Sequence, residues 1–572
     1  MAENVQIKSI KGFGGLNTTP DPFNIPEGDF VEAQDIYTSG GAIRRRPLLG
    51  PYTPITLGDG QFADHHHPRR IAFHRVNGAP WLYVLAGSAG AAATWAYRVK
   101  FDSTMTSWTS ASVVDDMRAA TSQTFASGGN LIIPTRTTTY KVPATGGAPV
   151  ALGGSPPANG QFGCLYNNMT TLGAATVGQI AFSGVGNPEL WTSSDTFTSG
   201  GHGAPITFLS KLGTMLITGT PFGIYGTQFY GRTSVKTYEL SSTIGSIQGG
   251  PTAESGGKLY FWGGDVRGGW TVGLPSQSDT FHEGVYSVDQ NGSVKRESNK
   301  LGWTSSYNFN WGLGAPSPDV NPFAGPGPRM PGQYLGATVW PDTYHAYSAR
   351  ADGAVFFIAN PNLWPGTETG QSIYVLMEGN WHRWKFLNRQ SKISTMLGGL
   401  PSIDAQSVGS PFPVLIGCSG SNWGTAYSKL MTFYDEDISG GPTPGRDISA
   451  GSPVVPYVVT APFLLGRDSE IRWMALNIES SSAQYVTVEA RTDQNVSYPQ
   501  VGNNGPFKFC ASINRANAVT PDGEHPIWKF PVGMRGKFVQ FKISFPQGRQ
   551  FTLSELLIGY NPLGIVRDGA SG

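Results

Sequence analysis

Along the 572 residues the apolar positions gather in short runs rich in β-branched and aromatic side chains. Gly, Asn or Pro cuts each run within about four to eight residues, which is the signature of strands. Long helical periodicity is absent. Three hairpins are legible: IAFHRV, Asn77-Gly78, PWLYVLA; VYSV, the stretch 289–292, SVKRES; and YHAYSAR, Asp352-Gly353, AVFFIA. Asn-Gly and Asp-Gly pairs tolerate the positive φ angles of type I′ turns. A fourth reads at IYVLM, Gly379-Asn380, WHRWKF. Strand alternation there puts His382, Trp384 and Phe386 on one face and Trp381, Arg383 and Lys385 on the other. If both faces are buried, Trp384 and Phe386 pack between sheets, and Trp381 lies under the stems of Arg383 and Lys385 against a neighbouring unit.

Further strand-rich stretches, among them NLIIPTRTTTYKV, GQIAFSGVGNPELW, GKLYFWGGD and PVLIGCSG, recur roughly every 40 to 60 residues, the spacing of four-stranded propeller blades. A set of β-sandwiches would share this punctuation. The fold expected is all-β: a β-propeller of about six or seven blades with an N-terminal extended arm and a C-terminal β-sandwich-like domain. The boundaries read as 1–60 for the arm and first hairpin, 61–450 for the propeller and 451–572 for the C-terminal antiparallel domain. Between blades, the stretch 301–332 ends in NPFAGPGPRMPG, too dense in Pro and Gly for regular structure, and reads as an irregular insertion.

Composition sharpens this picture. Glycine numbers 76 and proline 42, well above average usage of roughly 7% and 5%, so turns are frequent. Charged residues make up only 14%, against roughly 25% in ordinary soluble domains. Either neighbouring subunits cover much of the surface, or Ser, Thr and Asn supply its polarity. A net charge of +1 argues against a protein that grips nucleic acid by neutralising phosphates. Cys164, Cys418 and Cys510 lie far apart without C-x-x-C spacing and read as small buried hydrophobes. No apolar run reaches about 18 residues, so neither a signal peptide nor a membrane span is expected. Without secretion, the N-x-S/T triplets at Asn17, Asn168 and Asn495 carry no meaning.

Candidate chemistry is sparse. His65, His66 and His67 would alternate in direction on an extended chain and have no carboxylate partner motif, so a polar loop is expected. Asp435, Glu436 and Asp437 lack the spacing of a calcium loop and read as a solvated turn. Arg44, Arg45 and Arg46 could line phosphates from a strand, although salt bridges between subunits or solvent exposure fit them better. The GGK ending at Lys258 lacks the remaining P-loop residues and reads as the start of a strand. His282-Glu283 has no second histidine on a helix face. No catalytic, cofactor-binding or metal-binding residue is therefore assigned, and no turnover is expected.

Residues 12–52, GFGGLNTTPDPFNIPEGDFVEAQDIYTSGGAIRRRPLLGPY, carry a distinctive order: a GGLN phrase, a Pro-bounded extended segment, an acidic patch, then a G-x-I-R-R-R-P strand. In this the chain resembles the tail nozzle proteins (tail tubular protein B) of short-tailed bacteriophages. GQIAFSGVGNPELWTSSDTF followed by APITFLSKLGTMLITGTPFGIY, then GPTAESGGKLYFWGGD and GVYSVDQNGSV, and the ending RGKFVQFKISFPQGRQFTLSELLIGYNPLG extend the likeness along most of the chain. The resemblance implies a structural virion component assembled in the host cytoplasm, one subunit of a homohexameric ring. Its partners would be a tail adaptor protein above, tail fibre or tail-tip proteins, and double-stranded DNA passing through without sequence-specific binding. The alternative from another class is a glycan-binding or glycan-cleaving propeller, in which the tryptophans and tyrosines form sugar platforms. Against it stand the absence of repeated Asp-box phrases and of an arginine cluster for a sugar carboxylate.

Overall fold

The computed structural model describes residues 5–563 except 19–21, 52–65, 89–93, 101–108, 115–123, 136–137, 159, 175–177, 201–203, 205, 221, 231–233, 247–251, 266–283, 302–344, 350–352, 359–370, 387–390, 399–411, 413, 421–428, 435–445, 448–451, 454–455, 481–484, 494–506, 514–526 and 546–550. These residues are almost entirely strand, with short 3-10 turns at Pro22–Asn24 and Ser298–Leu301.

Among the described residues, seven small antiparallel sheets succeed one another along the chain. Blade 1 holds His66–Val76, Ala79–Ser88, Thr94–Lys100 and Thr109–Val114; blade 2 holds Phe125–Ser127, Asn130–Ile133, Tyr140–Val142 and Val150–Ala151. Blade 3 comprises Phe162–Tyr166, Met169–Gly173, Gln179–Gly184 and Asn187–Thr198; blade 4 comprises Phe208–Leu212, Met215–Thr220, Gly223–Phe229 and Val235–Ser241. In blade 5 both Ile244–Ser246 and Ala253–Ser255 pair with Lys258–Asp265, followed by Gly284–Asp289 and Val294–Arg296. Blade 6 runs through His345–Ala349, Ala354–Ile358, Gln371–Met377 and Asn380–Phe386. Blade 7 takes Ser391–Gly398, Val414–Gly420 and Lys429–Tyr434 from its own stretch of chain, and its fourth strand is Leu48–Pro51. Successive blades pack against one another, and the first strand of blade 1 lies against blade 7, so the sheets close into a seven-bladed propeller. Radial closure leaves only short peripheral edges.

Each blade buries both faces between its neighbours. Phe208, Ile217 and Ile224 of blade 4 meet Leu259, Phe261 and Tyr286 of blade 5. Phe356, Trp384 and Ile373 of blade 6 meet Met396, Ile416 and Phe433 of blade 7. The hairpin at Asn77-Gly78 forms as its sequence indicates, with φ of 49° and 81° at the two turn residues. The hairpin before WHRWKF forms one residue earlier than read: Glu378 and Gly379 carry the positive φ, 50° and 76°, and Asn380 already pairs with Met377.

Beyond the propeller, Tyr457–Thr460, Phe463–Ser480, Val486–Thr492, Lys508–Ile513, Ile527–Ser544 and Phe551–Pro562 form one large antiparallel sheet. Its 18-residue strands, Phe463–Ser480 and Ile527–Ser544, take partners towards both ends, with a break in the ladder at 465–468. Val488, Phe541 and Ile543 from one end of the sheet share a single core with Met474, Leu476 and Leu556 from the other.

The stretch expected to be an arm with one hairpin does form that hairpin, Ile36–Ser39 with Ala42–Arg45. The rest of it is also built into sheets. Gln6–Lys11 pairs with Phe551–Pro562, Phe30–Gln34 pairs with Tyr457–Thr460, and Ala42–Arg45 joins Phe551–Pro562 as well. The partners lie hundreds of residues away in sequence, and a local pattern of Pro and Gly does not reveal non-local pairing.

Trp384 is fully buried, its ring 5.3 Å from Phe433 and 5.7 Å from Phe356, and its Nε1–H donates to the Ile36 carbonyl at 2.9 Å. Trp384→Ala should therefore destabilise by about 3 to 5 kcal/mol, the usual range for a large core aromatic. Arg44→Ala, at an exposed position, should cost under about 0.5 kcal/mol. Denaturant titrations of the two variants check this; an unmoved midpoint for the Trp384 variant contradicts the packing described.

Candidate functional site

The sequence signature at 12–52 becomes a structural seam. Gly14 and Gly15 let the backbone lie flat against the outer strand of blade 6: a Cβ on Gly15 would overlap the Trp381 carbonyl oxygen, and one on Gly14 the Asp29 carboxylate. The contact is hydrogen-bonded, Leu16 N–H donating to the Trp381 carbonyl at 2.6 Å and Thr18 N–H to the Lys300 carbonyl at 2.8 Å. Asn17 Nδ2 donates to Asp29 at 2.9 Å, and Lys300 Nζ stands 3.5 Å from the same carboxylate. Further on, Asp35 N–H donates to the Arg383 carbonyl at 2.9 Å. The outer edge of blade 6 is thus covered by this chain's own N-terminal segment, which removes an open strand edge.

Asp35 and Arg46 hold the seam. Arg46 Nε stands 2.7 Å from Asp35 Oδ1 with both side chains 1% exposed, and Arg46 N–H donates to the Asp35 carbonyl at 2.9 Å. A second guanidinium N–H reaches the Pro47 carbonyl at 3.0 Å. Asp35 has a φ of 57°, a left-handed conformation that Asp and Asn tolerate better than other side chains. The three arginines therefore divide: Arg44 is exposed, whereas Arg45 and Arg46 are buried. Arg46 serves an intramolecular ion pair.

Two further buried groups border the seam. Trp381 tilts against Phe357 at 5.4 Å, and its Nε1–H donates to the Glu297 carbonyl of blade 5 at 2.9 Å. It thus anchors to the neighbouring blade. His382, fully buried, has Nε2 3.4 Å from Thr38 Oγ1, and Nδ1 has no hydrogen-bond partner among the described residues. Burial, aided by the positive charge of Lys300, pushes this imidazole down to about 3.

The remaining sequence candidates do not converge. His66 and His67 open the first strand of blade 1, opposite Ser88 and Gly87, where a polar loop was expected; pairing with the second strand extends the ladder that far. His65, His282-Glu283, Asp435, Glu436, Asp437 and Asn495 lie outside the described residues, as does 302–332 of the insertion between blades 5 and 6. Lys258 begins a strand, and Glu297 Oε1, 2.9 Å away, raises its pKa through a hydrogen bond. Asn17 is buried in the seam and Asn168 sits in a turn at φ 59°. Burial pushes the Cys164 thiol up to about 12 and the Cys510 thiol up to about 11, far from the activated thiolate of a nucleophile. His74 is lowered by burial and bonds the Pro143 carbonyl at 3.2 Å. Among the described residues no group of three or more His, Cys, Asp or Glu side chains could hold a metal ion, and no helix is long and apolar enough to cross a membrane. Sequence reading missed Asp35 and Asp29, whose importance comes from chain segments that meet only in the fold.

No protein family and no curated protein matches the chain. Among solved structures, the Neurospora crassa Pan2 WD40 domain is similar over 70% of this chain and 98% of its own, at 9% identity and a TM-score of 0.36. YCF48 bound to D1 peptide is similar over 66% and 95%, at 11% identity and a TM-score of 0.33. A glycoside hydrolase aligns with 90% of this chain and all of its own, at 10% identity and a TM-score of 0.22. The propeller assignment rests on the strand topology itself.

Breaking a buried ion pair by neutralising one partner costs about 3 to 5 kcal/mol. Asp35→Asn keeps a residue suited to the left-handed backbone, so it isolates the charge; calorimetry should show a clear loss of stability, and a melt like wild type contradicts the assigned role. His382 gives a separate pH signature. The unfolded imidazole titrates near 6.5 and the folded one near 3, so below about 6.5 only the unfolded chain takes the proton. Stability is lost as pH falls through that window, by up to ~1.4 kcal/mol per pH unit. Denaturation of wild type and His382→Phe at several pH values should show a difference that grows in the variant's favour with acidity; parallel curves contradict it.

Proposed function

We propose that this chain is a structural virion protein, a subunit of a ring-shaped tail nozzle in a short-tailed bacteriophage. The observation that carries the reading is the ordered set of phrases in residues 12–52. Within that stretch Gly14 and Gly15 lie against Asp29 and the outer strand of blade 6, Asp35 pairs with Arg46, and strands of the N-terminal segment pair with the C-terminal sheet. The low charge content suits subunits whose surfaces are covered by neighbours. Identical subunits related by rotation make heterologous contacts that close into a ring, with DNA passing through the axial hole of the assembly. Near-zero net charge suits a duplex that must slide rather than be gripped. In this reading an adaptor protein sits above the ring, fibre or tip proteins attach to it, and the protein performs no chemistry.

Imaging of particles that contain the protein tests the proposal. The expected result is a closed ring, with six copies, placed below the portal and its adaptor. A single copy per particle, or trimers at fibre tips, overturns it.

A further inference from the structure

The outer part of blade 4 carries a group of side chains that neither the seam nor the inter-blade core uses. Gln228 and Lys236 face each other across the strands Gly223–Phe229 and Val235–Ser241, and Tyr238 stands opposite Gly226. Tyr230 follows at the end of the first of these strands, its N–H donating to the Ser234 carbonyl at 2.9 Å. Tyr230 is 64% exposed, yet its hydroxyl is held twice: it donates to Gln228 Oε1 at 2.7 Å and lies 3.2 Å from the Tyr238 hydroxyl. With that proton committed to Gln228, Tyr238 is the donor to Tyr230. Lys236 Nζ sits 4.8 Å from the Tyr238 ring centroid. Every residue of Val235–Ser241 is at least partly exposed, whereas N-terminal chain covers the outer strand of blade 6.

We propose that Tyr230, Tyr238, Gln228 and Lys236 form a platform for a neutral saccharide. The exposed Tyr230 ring, fixed by its hydroxyl bonds, presents flat apolar surface at the outside of the blade without losing conformational freedom on binding, and the partly exposed Tyr238, with Lys236 over its ring, borders it. Such surfaces suit the C–H faces of pyranose rings. With its oxygen engaged by Tyr230, Gln228 offers its amide N–H groups to sugar hydroxyls, and Lys236 adds an ammonium donor. A nucleic-acid strand fits less well. Stacking platforms for single strands are flanked by a run of positive charge, whereas of the four residues grouped here only Lys236 is a cation. The proposal is independent of the ring reading and stands or falls separately from it.

Affinity electrophoresis and calorimetry of the full chain with dextran, mannan and O-polysaccharide test it, with melting curves run in parallel. At least one of these polysaccharides should bind, and Tyr230→Ala and Tyr238→Ala should each weaken binding by about tenfold or more with an unchanged melt. Tyr230→Trp should retain binding. Absence of binding to all three, or equal binding by wild type and Tyr230→Ala, overturns the proposal. So does a Tyr230→Ala chain that differs only in self-association by sedimentation, which would make this surface a contact between copies.

Discussion

The ion pair between Asp35 and Arg46 is the point on which the rest of the architecture depends. Taking both charges out of water is costly, and their 2.7 Å contact offsets this only with further hydrogen bonds. The Pro47 carbonyl and the backbone bond from Arg46 to Asp35 supply them. The pair closes the base of the hairpin Ile36–Ser39 and Ala42–Arg45, whose Tyr37 packs edge-on to Trp384 and Phe412. Beyond Arg46 the chain turns directly into Leu48–Pro51, the strand that completes blade 7. One buried contact therefore sets where the C-terminal sheet, blade 6 and the closing strand meet.

This arrangement constrains folding as well as stability. Leu49 pairs with Phe433, and Ile10 with Leu556, so the N-terminal segment finds its partners only after almost the whole chain exists. Contacts of such sequence separation form late and slowly, because loop closure comes before any reward. Until then the outer edge of blade 6 and the third strand of blade 7 are open, the kind of edge that invites pairing between chains. The glycines at 14 and 15 and the buried Asn17 and Asp29, with Lys300 beside them, favour the intramolecular partner.

What was legible in the sequence is what is local. Asn77-Gly78 announced its turn because two neighbouring residues determine it, and alternation, together with the expectation that a blade buries both faces, placed Trp384 between sheets. Glu378 at φ 50° gave no such signal, so the adjacent Gly379-Asn380 drew the turn one residue too far. Seven blades fall within the expected count, yet the seventh is unreadable locally, since its fourth strand comes from the other end of the chain. Trp381 lies against the neighbouring blade as expected, but its partner there, the Glu297 carbonyl, belongs to a chain segment whose approach only the closed ring determines. The tyrosines of blade 4 carry no motif, and only the register of Gly223–Phe229 against Val235–Ser241 shows them as a group.

Native-state hydrogen exchange under rising denaturant tests the central claim most directly, because it reports which segments open together. If residues 6–51 are the seam that closes the propeller, amides in Leu48–Pro51, Asn380–Phe386 and Lys429–Tyr434 should lose protection in one shared opening, with the same free energy and denaturant dependence. Exchange of Leu48–Pro51 by an independent low-energy opening, while the strands of blades 6 and 7 stay protected, would contradict the account.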